Sequence, residues 1–551
     1  MKLISFLLRS APVMVAVAIL AGVLAGISNT GLLILINSAL SRVGSPTSAL
    51  IWSFAALCLA MLVCRGAASV LLILLARGAV FDLRMKLSRK ILGAPLRHLE
   101  EVGAPRLLAT LTDDVLSIAN ALVTLPVLCM HFAVVLTCLV YLAWLSWPVF
   151  FGVLGFMVFG VVSYQIPLTR AMRYINRCRQ EWDKLFKHFG ALTTGAKELK
   201  LHHARRESFL NEQLEPTAQA FRHYGNVGDI IFSIAASWGQ LLVFALIGLL
   251  IFLVPTLINT NATTITGYSL VILYIMTPLE VILNTLPVLG RANVAMQQVE
   301  SLGLSLEKNS SEALALTTPV REVGSYDSLV LSGVTHAYHG DRDNHFMLGP
   351  IDLEFSPGQL IFLVGGNGSG KTTLAKLITG LYVPESGEIR LNGKTVDDQN
   401  REQYRQLFSV VFSDFYLFES LLGLHTPKLD EQARNYLLQL HLDHKVEVEN
   451  GVLSTTALSQ GQRKRLALLT AYLEDRPFYV FDEWAADQDP VFKEIFYLQL
   501  LPELKAKGKT ILVISHDDRY YHVADFVVKL DYGKITSLED RNHPQLLTVN
   551  L

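Results

Sequence analysis

Apolar stretches long enough to cross a lipid bilayer fill the first half of this chain, and nothing else restricts its fold as strongly. A bilayer core takes about 20 apolar residues as a helix, because only a helix satisfies its own backbone groups where water is absent. Six such stretches occur, at about 12–37, 49–76, 119–145, 149–169, 229–255 and 267–290. The first is free of charge from Ser10 to Ser41, which exceeds a signal-peptide core and reads as a retained span. Ser146-Trp147-Pro148 tightly links the third to the fourth. The excess behind the 51% hydrophobic content ends near residue 295, and from there the composition is that of a soluble domain. Residues 1–295 therefore read as an all-α six-helix transmembrane domain. The polar stretch 296–325, with Asn309-Ser310-Ser311, reads as a linker, and 326–551 as a second domain.

Loop charges orient the spans. The loop after span two carries Arg77, Arg84, Lys86, Arg89, Lys90, Arg97 and Arg106. The loop after span four carries a longer series from Arg170 through Lys184 and Arg205 to Arg222. The alternate loops hold only Arg42. The positive-inside rule makes both basic loops, and both chain termini, cytoplasmic. Helical apolar spacing within the basic loops predicts long helices running out of the membrane, with membrane lipid as an obligatory partner. A net charge of −1 speaks against nucleic acid as a partner.

Two charges fall inside spans. Arg65 lies in span two, where an arginine costs about 2.5–3.5 kcal/mol on insertion scales, and Glu280 follows Pro278 in span six. Each is a candidate for a substrate path, or equally for a structural ion pair or a snorkelling side chain. Of the five cysteines (58, 64, 129, 138 and 178), four sit in apolar stretches, and they read as small hydrophobes rather than metal ligands.

In the second domain, the apolar run Leu360–Val364 leads into Gly365-Gly366-Asn367-Gly368-Ser369-Gly370-Lys371-Thr372, and a helical segment from Thr373 to Leu381 follows. Strand, glycine loop and helix form the phosphate cradle of a P-loop, making this an α/β P-loop nucleotide-binding domain. Backbone N–H groups and the helix N-terminus receive the phosphates. Lys371 reaches the β- and γ-phosphates, and Thr372 ligates Mg²⁺. A second apolar run, Phe478–Phe481, ends in Asp482-Glu483. There Asp482 suits Mg²⁺, and Glu483 suits a general base for the attacking water.

Between these lies Leu458-Ser459-Gln460-Gly461-Gln462, which resembles the signature sequence of ABC transporters, with Gln460 in place of the usual first glycine. The resemblance covers the whole chain and implies a type I ABC exporter-like fold that uses ATP and Mg²⁺. It also implies residue roles. Tyr338 stacks on adenine, and Thr373 belongs to the ATP-binding set. Ser459, Gln460, Gly461, Gln462 and Asp489 contact ATP in trans, and His516 contacts the γ-phosphate. Two departures stand out. Ser413, followed by Asp414, occupies the position of the Q-loop glutamine, where it is a further Mg²⁺ candidate. The D-loop reads Ala486-Asp487-Gln488-Asp489. Because the signature of one copy must face the P-loop of another, a homodimer is implied.

The segment Leu458–Pro490 is similar to the cyclic-peptide exporters of Gram-negative bacteria, a subgroup with pyoverdine and syringomycin secretion proteins and a microcin exporter. That implies export of a peptide, cyclic or siderophore-like, from cytoplasm to periplasm across the bacterial inner membrane. No N-terminal peptidase pattern is present, so leader-peptide cleavage is not expected. A lipid or glycolipid flippase would use the same fold, and an ATP-gated membrane protein that does not pump is the reading from another class.

Overall fold

The structure is a computed structural model of the chain. It describes residues 12–41, 48–257, 261–301, 325–338, 346–424 and 426–541. Arg42 and most of the expected linker lie outside these residues. The chain divides into two compact units, Met1–Arg84 with Ala109–Val299, and Met85–Leu108 with Glu300–Leu551.

The helices labelled here are α1 (Pro12–Ser41), α2 (Ser48–Leu92), α3 (Leu96–Val102), α4 (Val115–Leu145), α5 (Trp147–Thr194), α6 (Glu215–Phe252) and α7 (Ala262–Ser301). Six helical stretches among the described residues are long and apolar enough to cross a membrane: Ile19–Leu40, Ser48–Leu71, Val127–Leu145, Trp147–Thr194, His203–Leu257 and Ala262–Glu300. The third lies within α4, which is unbroken from Val115 to Leu145. With 45 residues, α2 is about 68 Å long, more than twice a hydrocarbon core of about 30 Å. Helix α5, with 48 residues, is longer still, so both basic loops begin as continuations of their spans. Helix α7 runs to Ser301, past the expected linker start at 296.

Within the first unit, small residues let helices approach. On α1, a Cβ at Gly22 would lie 3.2 Å from Met130 Cβ, and one at Gly26 3.1 Å from Val134 Cγ2 of α4. Polar pairs fasten the same seam, with Thr30 Oγ1 2.8 Å from Thr137 Oγ1 and Asn37 Nδ2 donating to the Tyr141 hydroxyl at 3.0 Å. The Tyr268 hydroxyl of α7 sits 2.7 and 2.8 Å from the carbonyl oxygens of Leu142 and Ser146, which satisfies the end of α4.

The second unit is a sheet-and-helix domain. Its strands are β1 (Leu329–Tyr338), β2 (Phe346–Phe355), β3 (Leu360–Val364), β4 (Ser386–Leu391), β5 (Lys394–Thr395), β6 (Phe408–Val411), β7 (Val448–Glu449), β8 (Val452–Leu453), β9 (Phe478–Asp482), β10 (Thr510–Ile514), β11 (Phe526–Asp531) and β12 (Lys534–Asp540). Its longer helices include α8 (Lys371–Ile378) and α9 (Gln460–Glu474). One sheet has the order β2-β1-β4-β5 and is antiparallel. The main sheet has the order β12-β11-β3-β10-β9-β6, and only the β11–β12 pair is antiparallel. Strands β3, β9 and β10 are buried at every position, as their unbroken apolar runs require for a parallel sheet covered on both faces.

Candidate active site

Register of the parallel strands assembles the site. Leu363 pairs with Ile514, Ile514 with Asp482, and Phe481 with Val411, so four neighbouring strands end at one level. The chain leaves these ends into the glycine loop, Glu483, His516 and Ser413. The carboxyl edge of a parallel sheet is where α/β folds place their ligands.

The glycine loop owes its course to residues without a Cβ. At Gly365, φ is 154° and a Cβ would meet the Leu530 carbonyl oxygen at 2.0 Å. At Gly370, φ is 101° and a Cβ would press on Leu348 and Phe346 at 2.9 and 3.0 Å. Helix α8 starts directly after Gly370 with Lys371. The Lys371 ammonium donates to the carbonyl oxygens of Gly365 (3.1 Å) and Gly366 (2.9 Å). Burial pulls its pKa below the ordinary lysine value, and the charges of Glu483 and Asp482 oppose this. Asn367, Gly368 and the buried Ser369 complete the loop.

Asp482 is fully buried at the end of β9. Its Oδ2 accepts from Thr372 Oγ1 (3.0 Å) and from Ser413 Oγ (3.3 Å), whereas its Oδ1 has no hydrogen-bond partner. Burial pushes this carboxyl above the ordinary aspartate range; the Thr372 bond resists and the Glu483 charge adds to the rise. A buried, unsatisfied carboxylate oxygen beside a threonine hydroxyl fits a hard divalent cation. Next to it, Glu483 Oε1 lies 3.0 Å from His516 Nε2. A cavity of about 300 Å³ opens beside this pair, lined by Ala486, Lys493, Tyr497 and Asp517 as well.

Tyr338 ends β1, with its hydroxyl 3.2 Å from Thr373 Oγ1 and donating to the Tyr382 hydroxyl at 3.3 Å. Tyr382 in turn donates to Glu100 of α3, which also pairs with Lys376 at 2.7 Å, and Arg97 of α3 pairs with Glu385 at 2.8 Å. Part of the first basic loop thus belongs to the nucleotide-domain unit, although it lies inside the expected transmembrane range. No local signal in residues 85–108 announced this, because the partners are nearly 300 positions away.

Ser459, Gln460, Gly461 and Gln462 form the start of α9, where Ser459 and Gln462 make a capping box, with Gln462 Oε1 3.3 Å from the Ser459 N–H. Ser459 and Gln460 are exposed. Among the described residues, no hydrogen bond joins these four to the glycine loop of the same chain. They are held instead by the D-loop: Gln488 Nε2 donates to the Gly461 carbonyl at 2.9 Å, and Arg465 Nε donates to Gln488 Oε1 at 2.8 Å. Asp489 pairs with Arg465 and caps the helix Pro490–Ile495 by accepting from the Phe492 N–H at 2.9 Å. Nothing in the local sequence marks Lys464 and Arg465, and Asp487 and Gln488 stand out only as a departure in the D-loop. Adjacent cations in a helix ordinarily mark a solvated face, yet Lys464 is 3% exposed. Arg65 and Glu280, by contrast, lie in the other unit, on α2 and α7, and both are exposed in the single chain.

The pattern of the ABC transporter transmembrane region matches residues 12–279, and that of the ABC transporter family matches 348–486. The chain is 38% identical over 546 residues to the ATP-binding protein SyrD of Pseudomonas syringae pv. syringae, covering 97% of this chain and 96% of that one. It is 26% identical over 496 residues to the ATP-dependent lipid A-core flippase of Pseudomonas aeruginosa, with 86% and 78% covered. Over 298 residues it is 30% identical to the pediocin PA-1 transport/processing ATP-binding protein PedD of Pediococcus acidilactici, with 51% and 39% covered. Among solved structures, a bacterial Atm1-family ABC exporter with ATP bound superposes with a TM-score of 0.73 at 16% identity, covering 97% and 96% of the two chains.

Proposed function

Since this chain belongs to the ABC transporter family, as an exporter half with a membrane domain fused to an ATP-binding domain, we propose that two copies assemble to export a peptide, cyclic or siderophore-like. Export would run from cytoplasm to periplasm across a bacterial inner membrane, with both termini cytoplasmic; the basic loops after spans two and four support that orientation.

The observation that carries the mechanism is the alignment of strand ends that brings Lys371, Asp482, Glu483 and His516 to one edge. Lys371 and the loop N–H groups hold the ATP phosphates. Thr372 and Asp482 would hold Mg²⁺, with Ser413 supporting the Asp482 carboxylate, and the ion would supply neutralisation of phosphate charge. Glu483 takes the proton of the attacking water, and His516, 3.0 Å away, keeps the carboxylate facing the γ-phosphate. Tyr338 stacks on adenine. Ser459 to Gln462, of which Ser459 and Gln460 are exposed, serve the ATP of the other copy, which is why the homodimer is needed. ATP binding favours the closed dimer only by its differential affinity for that state.

Support for a peptide comes from the segment Leu458–Pro490 and its likeness to the cyclic-peptide exporter subgroup, and from the likeness to the pediocin transport protein. Likeness to lipid A-core flippases supports the second reading, a lipid flippase. Arg65 and Glu280 are the substrate-path candidates. Purified chain in nanodiscs, assayed for ATPase against cyclic peptides, siderophore precursors and lipids, separates the two: peptide stimulation supports export, and stimulation by lipid alone overturns it. Glu483→Gln should keep ATP binding and lose about 100-fold or more in turnover. Wild-type turnover in that variant would remove the assigned base.

A further inference from the structure

Glu483 has a left-handed backbone, φ 48° and ψ 34°, which residues other than glycine enter only when their surroundings enforce it. Three backbone contacts hold it. Its N–H donates to the Ile514 carbonyl at 3.1 Å, and its carbonyl accepts from the Ala486 N–H at 3.2 Å. The second donor to that carbonyl is the Lys464 ammonium, at 2.9 Å. Lys464 is buried, and its ammonium also pairs with Asp487 Oδ2 at 2.7 Å. Its own backbone is gripped in turn, because the Trp484 indole N–H donates to the Lys464 carbonyl at 2.8 Å. Trp484 is itself buried, stacked on Phe496 with ring centroids 4.3 Å apart. Helix α9 and the loop Glu483–Asp487 are thus fastened at both faces of one lysine.

A buried ammonium must keep its partners, since leaving it unpaired in the interior is far more costly than the pair itself is favourable. Lys464 therefore dictates where the Glu483 carbonyl lies, and with it the direction in which the side chain leaves towards His516. We propose that Lys464, with Asp487 as its counter-charge, is the positioning residue that holds Glu483 in its catalytic conformation. This rests on the reading of Glu483 as the base. It has a consequence for the dimer: Lys464 lies two residues beyond Gln462 on the same helix. One rigid element then carries both the end offered to the partner's ATP and the clamp on this chain's own base.

The test uses the full chain in nanodiscs with Mg-ATP. Lys464→Met fills the same volume without a donor. It should lower kcat at least about tenfold while KM for ATP stays within about threefold, because the loss acts on the base and not on binding. Placed in a Glu483→Gln background, the same change should lower the residual turnover by less than about twofold, since the group being positioned is already gone. Asp487→Ala should lower kcat about threefold at unchanged KM; its side chain is 47% exposed, so it serves as the test should Lys464→Met not fold. Retention of kcat within twofold in both single variants overturns the proposal, and so does an equal loss in the wild-type and Glu483→Gln backgrounds. Wild-type turnover in Glu483→Gln alone removes the assignment of the base on which the proposal rests.

Discussion

Ser413 shows how one side chain changes a site without changing its outline. It stands two residues beyond β6, at the level where β9 delivers Asp482, and its hydroxyl donates to Asp482 Oδ2 at 3.3 Å. A glutamine there would be long enough to reach past the carboxylate; a serine only orients it. The proposed Mg²⁺ site is therefore completed by Thr372 and Asp482, with Ser413 acting through Asp482. Ser413→Ala removes one hydrogen bond of about 1 kcal/mol, so the Mg²⁺ concentration for half-maximal ATPase should rise about fivefold. A Mg²⁺ titration at saturating ATP checks this, and an unchanged midpoint would show that Asp482 needs no such support.

Helix α9 is the element that ties the domain together, since its start presents Ser459 and its end carries Glu474. The Glu474 carboxylate accepts from Ser409 Oγ of β6 at 2.8 Å. Burial raises its pKa above the usual 4.5, opposed by the Ser409 bond and by Arg476. The folded state thus holds this proton more tightly than the unfolded chain does. Stability falls as pH rises from about 4.5 through the raised folded-state value, and this cost is absent below 4.5. Glu474→Gln should therefore raise the thermal midpoint for loss of nucleotide binding at pH 7.5 by about 2–4 °C, equivalent to about 1 kcal/mol, and by nothing near pH 4.5. Equal effects at both pH values would mean that the charge is not the cause.

At the scale of the whole molecule, the proposed composite site makes each chain carry half a site. The glycine loop and Ser459 share no hydrogen bond within the described chain, and Ser459 is exposed. In a chain with its five cysteines replaced, Asn367→Cys together with Ser459→Cys should cross-link two copies when Glu483→Gln traps ATP. The product is a species of twice the chain mass on a non-reducing gel. Cross-links confined to single chains would contradict the composite site. The single chain also exposes large apolar side chains along its spans, such as Leu62, Ile73, Val161 and Phe244, a surface that lipid or a second copy must cover.

The sequence by itself determined what is written in contiguous residues. The spans are legible because a bilayer demands unbroken apolar length, and the glycine loop because a phosphate cradle needs its glycines and lysine at fixed spacing. Asp482-Glu483 and Ser459–Gln462 are legible for the same reason. What only the tertiary structure decided concerns residues brought together by the strand order β11-β3-β10-β9-β6, in which neighbours in space are far apart in the chain. That order puts His516 against Glu483, and Ser413 beside Asp482. Packing of α9 on the loop after β9 turns Lys464 from an ordinary helical cation into a buried clamp beneath Glu483. Pairing of Glu100 with Lys376 and Tyr382 takes residues 85–108 out of the membrane unit and into the nucleotide unit. Local pattern reports what a segment needs from its solvent, and register and packing report which segment answers that need.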